Sequence, residues 1–288
     1  MSAVGSSQSG NKKSDGRSSV FDDKPWVGLA MSFMTIAVAA LYAGSADLYE
    51  NILSVLSANL GMIIAIVAAS AAVRKISKYG LGTGVPSVGM FGIGLACIIS
   101  ICSVFLGGVF SPLIGMILAL AVGGFGGFLI NKVLAMNIPA MEMRLAEITA
   151  GCTLAMTASF IIVTGSIQSY DLLVNYLLSG TVALGFIGIA VAVFHAYNAN
   201  LGPDEAPDRT RMLAILDASL ILLILGIAAF LAAYGPDVPL TNLIVPIVTI
   251  FMSLIFILIS YYQFWTYVKR DACEIMETGL LPSEEDLN

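Results

Sequence analysis

The chain has 288 residues, 58% of them hydrophobic and only 11% charged, with a mean hydropathy of +0.92. A soluble domain carries about 25% charged residues, so this composition excludes a water-soluble globule and indicates an integral membrane protein. The formal charge of −6 decides less than where the charges sit.

Residues 1–25 are rich in Ser, Gly, Lys and Asp and read as a disordered tail. No short apolar core with a small-residue cleavage site precedes the first long span, so no cleaved signal peptide is expected. A membrane helix needs about 20 apolar residues. Eight runs qualify: Trp26–Ala43, Ile52–Val73, Val88–Val109, Leu113–Val133, Ile148–Thr164, Leu172–Phe194, Met212–Tyr234 and Leu243–Phe264. The expected fold is therefore all-α, a polytopic membrane bundle of about eight transmembrane helices. The third and fourth runs are joined only by Phe110-Ser111-Pro112, so they form a tight hairpin. If that pair is re-entrant, the count falls to six or seven.

The connectors carry the topology. All thirteen Lys and Arg lie in the N-tail, in the loops after the second, fourth and sixth runs, or in the C-tail, counting Lys132 at the very end of the fourth run with its loop. The other loops hold only acids, Asp47, Glu50, Asp171 and Asp237, or no charge. Basic residues concentrate on the cytoplasmic side of membrane proteins, so both termini and the even loops are expected there. The loop after the second run, Lys78-Tyr79-Gly80-Leu81-Gly82, carries a helix-stop signal, because Gly takes a left-handed cap without a Cβ penalty. Pro86 can then occupy the first turn of the next helix.

The punctuation recurs. Gly44-Ser45 and Tyr49-Glu50 are answered by Gly165-Ser166 and Tyr170-Asp171, and Gly80-Leu81-Gly82 by Asn200-Leu201-Gly202. Two membrane repeats of four helices follow, 26–133 and 148–265, joined by a linker at 134–147 and followed by a C-tail at 266–288. An even number of spans returns the chain to its starting side, so the repeats are parallel. Within the linker, Met141, Arg144 and Leu145 have the spacing of a short interfacial helix.

Charge within a membrane is costly and usually functional. Two carboxylates qualify. Asp217 lies six residues past Arg211, about 9 Å into the seventh helix, and Glu147 opens the fifth. Either can lend oxygens to a hard cation such as sodium, with the hydroxyls of Thr153, Thr157 and Ser219 nearby in sequence. The alternative is pairing with Arg211 or Arg144 at the interface. Ser57, Asn59, Asn175, Ser179, Thr181 and the run Val122-Gly123-Gly124-Phe125-Gly126-Gly127 suit close helix packing. Cys97, Cys102, Cys152 and Cys273 have no metal spacing and His195 is the sole histidine, so no zinc, haem or iron–sulfur site is expected. His195 corresponds to Lys75 in the repeat, and both close a helix where a cation complements the dipole.

The loop Lys78-Tyr79-Gly80-Leu81-Gly82-Thr83-Gly84-Val85-Pro86-Ser87-Val88-Gly89-Met90, the segment Glu147-Ile148-Thr149-Ala150-Gly151-Cys152, and Asn198-Ala199-Asn200-Leu201-Gly202-Pro203-Asp204-Glu205 with Asp208-Arg209-Thr210 resemble one family. It is the C subunit of the tetrahydromethanopterin S-methyltransferase of methanogenic archaea. The resemblance is clearest over Lys75 to Asp217. It implies a membrane subunit of a complex that moves a methyl group from methyl-tetrahydromethanopterin to coenzyme M through a corrinoid and exports sodium ions. The corrinoid is implied to sit on a partner subunit, with no cofactor and no methyl-transfer site in this chain. The competing reading is a stand-alone ion-coupled transporter built from the two repeats.

Overall fold

The computed structural model describes residues 24–77, 84–135, 138–167, 174, 180–198, 207–233 and 240–277. Among them are eight α-helices: α1 (Pro25–Tyr42), α2 (Leu48–Ser77), α3 (Gly84–Gly107), α4 (Ser111–Val133), α5 (Met141–Thr164), α6 (Thr181–Asn198), α7 (Pro207–Ala233) and α8 (Leu240–Glu277). No strand occurs among the described residues. Among the described residues six stretches are long and apolar enough to cross a membrane, and one of these, Ser87–Val133, takes in α4 and most of α3. The apolar part described for α6, Val182–Phe194, is shorter. The opening of that run and the Gly80 and Asn200 punctuation lie outside the described residues, as do Asn175 and Ser179.

Local chemistry sets the helix ends. Pro25 occupies the first position of α1, where a missing N–H costs nothing. Asp47 caps α2: its Oδ1 accepts from the Tyr49 N–H at 2.8 Å and the Glu50 N–H at 3.3 Å, and its charge suits the positive end of the helix dipole. Pro86 falls in the first turn of α3, as its sequence position suggests. Gly165, at φ +65°, closes α5 and donates its N–H to the Ile161 carbonyl at 2.8 Å, the left-handed cap that favours glycine.

The third and fourth runs do form a hairpin, and its turn is tighter than a loop. A 3-10 turn, Gly108–Phe110, connects them, with Gly108 at φ +48°. Gly115 faces Ser103 and Gly126 faces Phe91 and Leu95, so the helices lie side by side along most of their length. At 24 and 23 residues each is about 35 Å long, enough for a hydrocarbon core of about 30 Å.

One sequence expectation changes. Met141, Arg144 and Leu145 do not form a separate interfacial helix, because α5 already begins at Met141, directly after Ala140 in a left-handed conformation at φ +58°. Met141 and Leu145 are fully buried, and burying both side chains favours one continuous helix.

The centre is an antiparallel pair, α2 and α5. They approach so closely at Gly151 that a Cβ there would lie 2.9 Å from the Ala65 carbonyl oxygen. The other helices surround this pair. Ser32 of α1 donates to the Gly61 carbonyl of α2 at 2.8 Å, and Ser54 of α2 donates to the Ala39 carbonyl of α1 at 2.8 Å. On the other flank α4 meets α5 through its glycine run. A Cβ on Gly123 would sit 2.8 Å from Ala146 Cα, and one on Gly127 would sit 2.6 Å from Glu142 Cα. Gly92 admits Leu145 and Ile148 of α5 against α3. Asn59 of α2 donates its Nδ2–H to Thr249 of α8 at 3.2 Å. Small residues and cross-helix hydrogen bonds are what hold helices together where lipid removes the hydrophobic drive between them.

This threading keeps Lys24, Arg74, Lys75, Lys132, Arg144, Arg209 and Arg211 near helix ends on one side of the bundle, the side toward which Lys269 and Arg270 of α8 also lie. Asp47 and Glu50 lie at the other. At that second end the two Gly-Ser turns come together. Gly44 and Gly165 both have positive φ, +80° and +65°, and a Cβ on Gly44 would lie 3.2 Å from Ser166 Oγ. The two Gly-Ser turns therefore face each other.

Candidate functional site

The two carboxylates that stand out in the sequence are both buried, Glu147 at 3% and Asp217 at 7% exposure. They stand on different helices, α5 and α7, which touch. Among the described residues no group of three or more His, Cys, Asp or Glu side chains could hold a metal ion. Neither carboxylate belongs to an acidic cluster.

Glu147 is the better defined. It sits two turns into α5, and Arg144, one turn earlier, places Nη1 2.6 Å from its Oε2. The charge of Lys75, near the end of α2, also acts on this carboxylate. That arrangement realises the pairing alternative for one oxygen only, because Oε1 is buried and has no hydrogen-bond partner. A buried oxygen without a donor costs about 1–3 kcal/mol, so Oε1 is a position where a cation or proton donor is favoured.

The hydroxyls of α5 divide in the same way. Thr149 donates to the Leu145 carbonyl and Thr157 to the Thr153 carbonyl, at 2.8 and 2.9 Å. Thr153 Oγ1, by contrast, is buried without a partner. Thr153 lies six residues past Glu147, about 9 Å further along the axis. Glu147 Oε1 and Thr153 Oγ1 are thus the two uncommitted oxygens on the most enclosed helix. On α7, Ser219 spends its hydrogen on the Ile215 carbonyl at 2.6 Å, and Arg211 pairs with Asp208 at 2.8 Å.

Two residues of α2 carry more than their sequence positions suggest. Asn59 serves packing, since its amide bridges α2 to α8, yet its Oδ1 is buried and unpartnered. Ser70 is also buried without a partner, and the sequence reading misses it. The signal that finds both is an amide and a hydroxyl three turns apart in one membrane helix. Cysteine burial is mixed: Cys152 is enclosed, Cys97 half-buried, and Cys102 and Cys273 are exposed. His195 lies in the last turns of α6.

Long apolar helices, interior polar groups held by neighbouring helices, and basic residues gathered at one end define a polytopic α-helical membrane protein. The profile of the family described as tetrahydromethanopterin S-methyltransferase, C subunit, matches residues 1–285. Curated relatives carrying the same description include one from Methanosarcina mazei, 36% identical over 228 residues, covering 79% of this chain and 82% of the relative. Another, from Methanopyrus kandleri, is 30% identical over 264 residues, covering 90% and 92%. A third, from Methanothermobacter thermautotrophicus, is 27% identical over 267 residues, covering 90% and 96%. This chain belongs to the family of tetrahydromethanopterin S-methyltransferase C subunits.

Proposed function

We propose that this protein has no methyl-transfer site of its own and instead scaffolds, and in part lines, a sodium path through the membrane portion of the methyltransferase complex. In this reading methyl transfer to coenzyme M occurs on partner subunits, one of which holds the corrinoid. Both termini and the basic ends of the helices face the cytoplasm of the archaeal cell, and the two repeats are like-oriented.

The observation that carries the reading is Glu147. One of its oxygens is paired with Arg144, and the other is buried without a hydrogen-bond partner. A carboxylate with both oxygens bonded would be structural, and one with neither bonded would be too costly to bury. A carboxylate held between these limits can accept a hard cation and release it again. Asp217, buried on the neighbouring α7, is the second group on the same path.

The test uses the assembled complex in sealed inverted vesicles, following radioactive sodium uptake alongside methylation of coenzyme M. Glu147→Gln and Asp217→Asn are expected to keep methyl transfer in detergent while lowering sodium uptake at least tenfold. Undiminished uptake in both variants overturns the ion-path role and leaves a scaffold. Solute flux by this chain reconstituted alone would instead establish the stand-alone transporter. For the orientation, an impermeant amine reagent on intact cells should leave Lys75 unlabelled, and labelling from outside refutes the threading.

A further inference from the structure

The last helix is longer than a membrane requires. α8 runs 38 residues, Leu240–Glu277, about 57 Å at 1.5 Å per residue, while a hydrocarbon core of about 30 Å takes only about 20. Counted from Leu243, where its apolar part begins, the core is crossed near Tyr262.

At that level the surface of the helix changes character. Tyr261, Tyr262 and Trp265 are 56%, 72% and 49% exposed, the amphipathic rings that settle at a membrane interface. One turn further on, the Lys269 ammonium lies over the Trp265 ring, 5.4 Å from its centre, and the Arg270 guanidinium lies 5.1 Å from the centre of Tyr267. Both cations reach back along the helix toward the apolar part, although their Cα positions lie beyond it. The backbone then continues through Asp271, Glu274 and Glu277, so the charge changes sign directly after Arg270.

We infer that Trp265, Tyr267, Lys269 and Arg270 form a docking surface for the headgroups of anionic phospholipids. Three observations favour a lipid over an acidic protein segment. The cations are continuous with a lipid-length apolar span. They fold back toward the headgroup layer, as long basic side chains do at an interface. The following acids would be repelled by lipid phosphates, which places the membrane surface at Lys269 and Arg270 and sends the helix on into water. A cation held on a ring has already lost much of its side-chain freedom and part of its hydration, so binding a phosphate orders little more.

The experiment is native mass spectrometry of the complex, stripped of endogenous lipid and titrated with dioleoyl phosphatidylglycerol or dioleoyl phosphatidylcholine. The wild type should retain the anionic lipid several-fold more than the zwitterionic one. Lys269→Gln with Arg270→Gln should erase that preference and leave phosphatidylcholine retention unchanged. Lys269→Arg with Arg270→Lys keeps the charges and should keep the preference, which separates lost binding from lost assembly. Equal retention of both lipids by the wild type overturns the proposal, as does a preference that survives the double Gln variant. Quantitative cross-linking of the exposed Cys273 to another protein, in a complex that shows no lipid preference, would assign the surface to a protein instead.

Discussion

The helices α1 and α5 are each followed by a Gly-Ser turn whose glycine has positive φ, Gly44 and Gly165, yet they occupy opposite environments. Of the best membrane-spanning window in each, 94% is buried for α5 and 39% for α1. α5 is enclosed by α1, α2, α3, α4, α6 and α7, whereas α1 has one main neighbour, α2. The difference teaches that a shared Gly-Ser turn does not set depth in the bundle. Enclosure follows from what a helix offers its neighbours. α5 presents Gly151 to α2 and receives Gly92, Gly123 and Gly127 from α3 and α4, so backbone can approach from several sides.

The comparison can be broken at counterpart positions, 121 residues apart. Gly151→Leu inserts a side chain where even a Cβ meets the Ala65 carbonyl, and should cost about 3 kcal/mol or more, the upper end of overpacking. Its counterpart Ala30→Leu falls on an exposed face of α1 and should lie within about 0.5 kcal/mol of the parent. Thermal unfolding of the complex in detergent measures both, and equal effects would erase the distinction between the two helices.

Removing a charge sharpens it next. Arg144→Gln leaves Glu147 buried without its cation. Breaking a buried pair costs about 3–5 kcal/mol, and about 2 is expected here, because the Arg144 side chain is 15% exposed and water screens it. Restoration of the melting temperature by a second change, Glu147→Gln, confirms that the unpaired carboxylate causes the loss. Ser32 and Thr153 form the third test, as counterparts with opposite bonding. Ser32→Ala removes the bond to Gly61 and should cost about 1 kcal/mol. Thr153→Val removes a hydroxyl that has no partner, so it should be neutral or raise the melting temperature slightly. A large loss from Thr153→Val would mean that this oxygen is engaged in the assembled complex. The smallest effect belongs to α4. A Cβ on Gly124 meets nothing closer than 3.9 Å, so Gly124→Ala should be near neutral, while Gly127→Ala presses on the α5 backbone and should cost about 1–3 kcal/mol.

Much of this was legible in the sequence. The apolar runs located the helices, and the basic residues fell at one end as their spacing required. Glu147 and Arg144 did meet, because three residues along a helix bring side chains to one face. What hydropathy missed was centrality. Apolar length counts Ala, Val and Ile alike whether they face lipid or protein. The better signal was polarity: α5 holds Glu147, Thr149, Thr153, Thr157 and Ser159, all buried, and lipid tolerates few such groups. The boundary at Met141 was missed because the charges of Glu142 and Arg144 resemble a loop until the fold shows Met141 and Leu145 enclosed. Asp217 was legible as buried but not in its relation to Glu147, since nothing in a linear spacing fixes the distance between two helices far apart in sequence.

The facing turns at Gly44 and Ser166 bear on how the protein can be handled. A reporter group spliced into either turn would wedge apart the ends of α1 and α5 and transmit that strain to the most enclosed helix of the bundle. Fluorophores and affinity handles therefore belong at the far end, beyond Glu277.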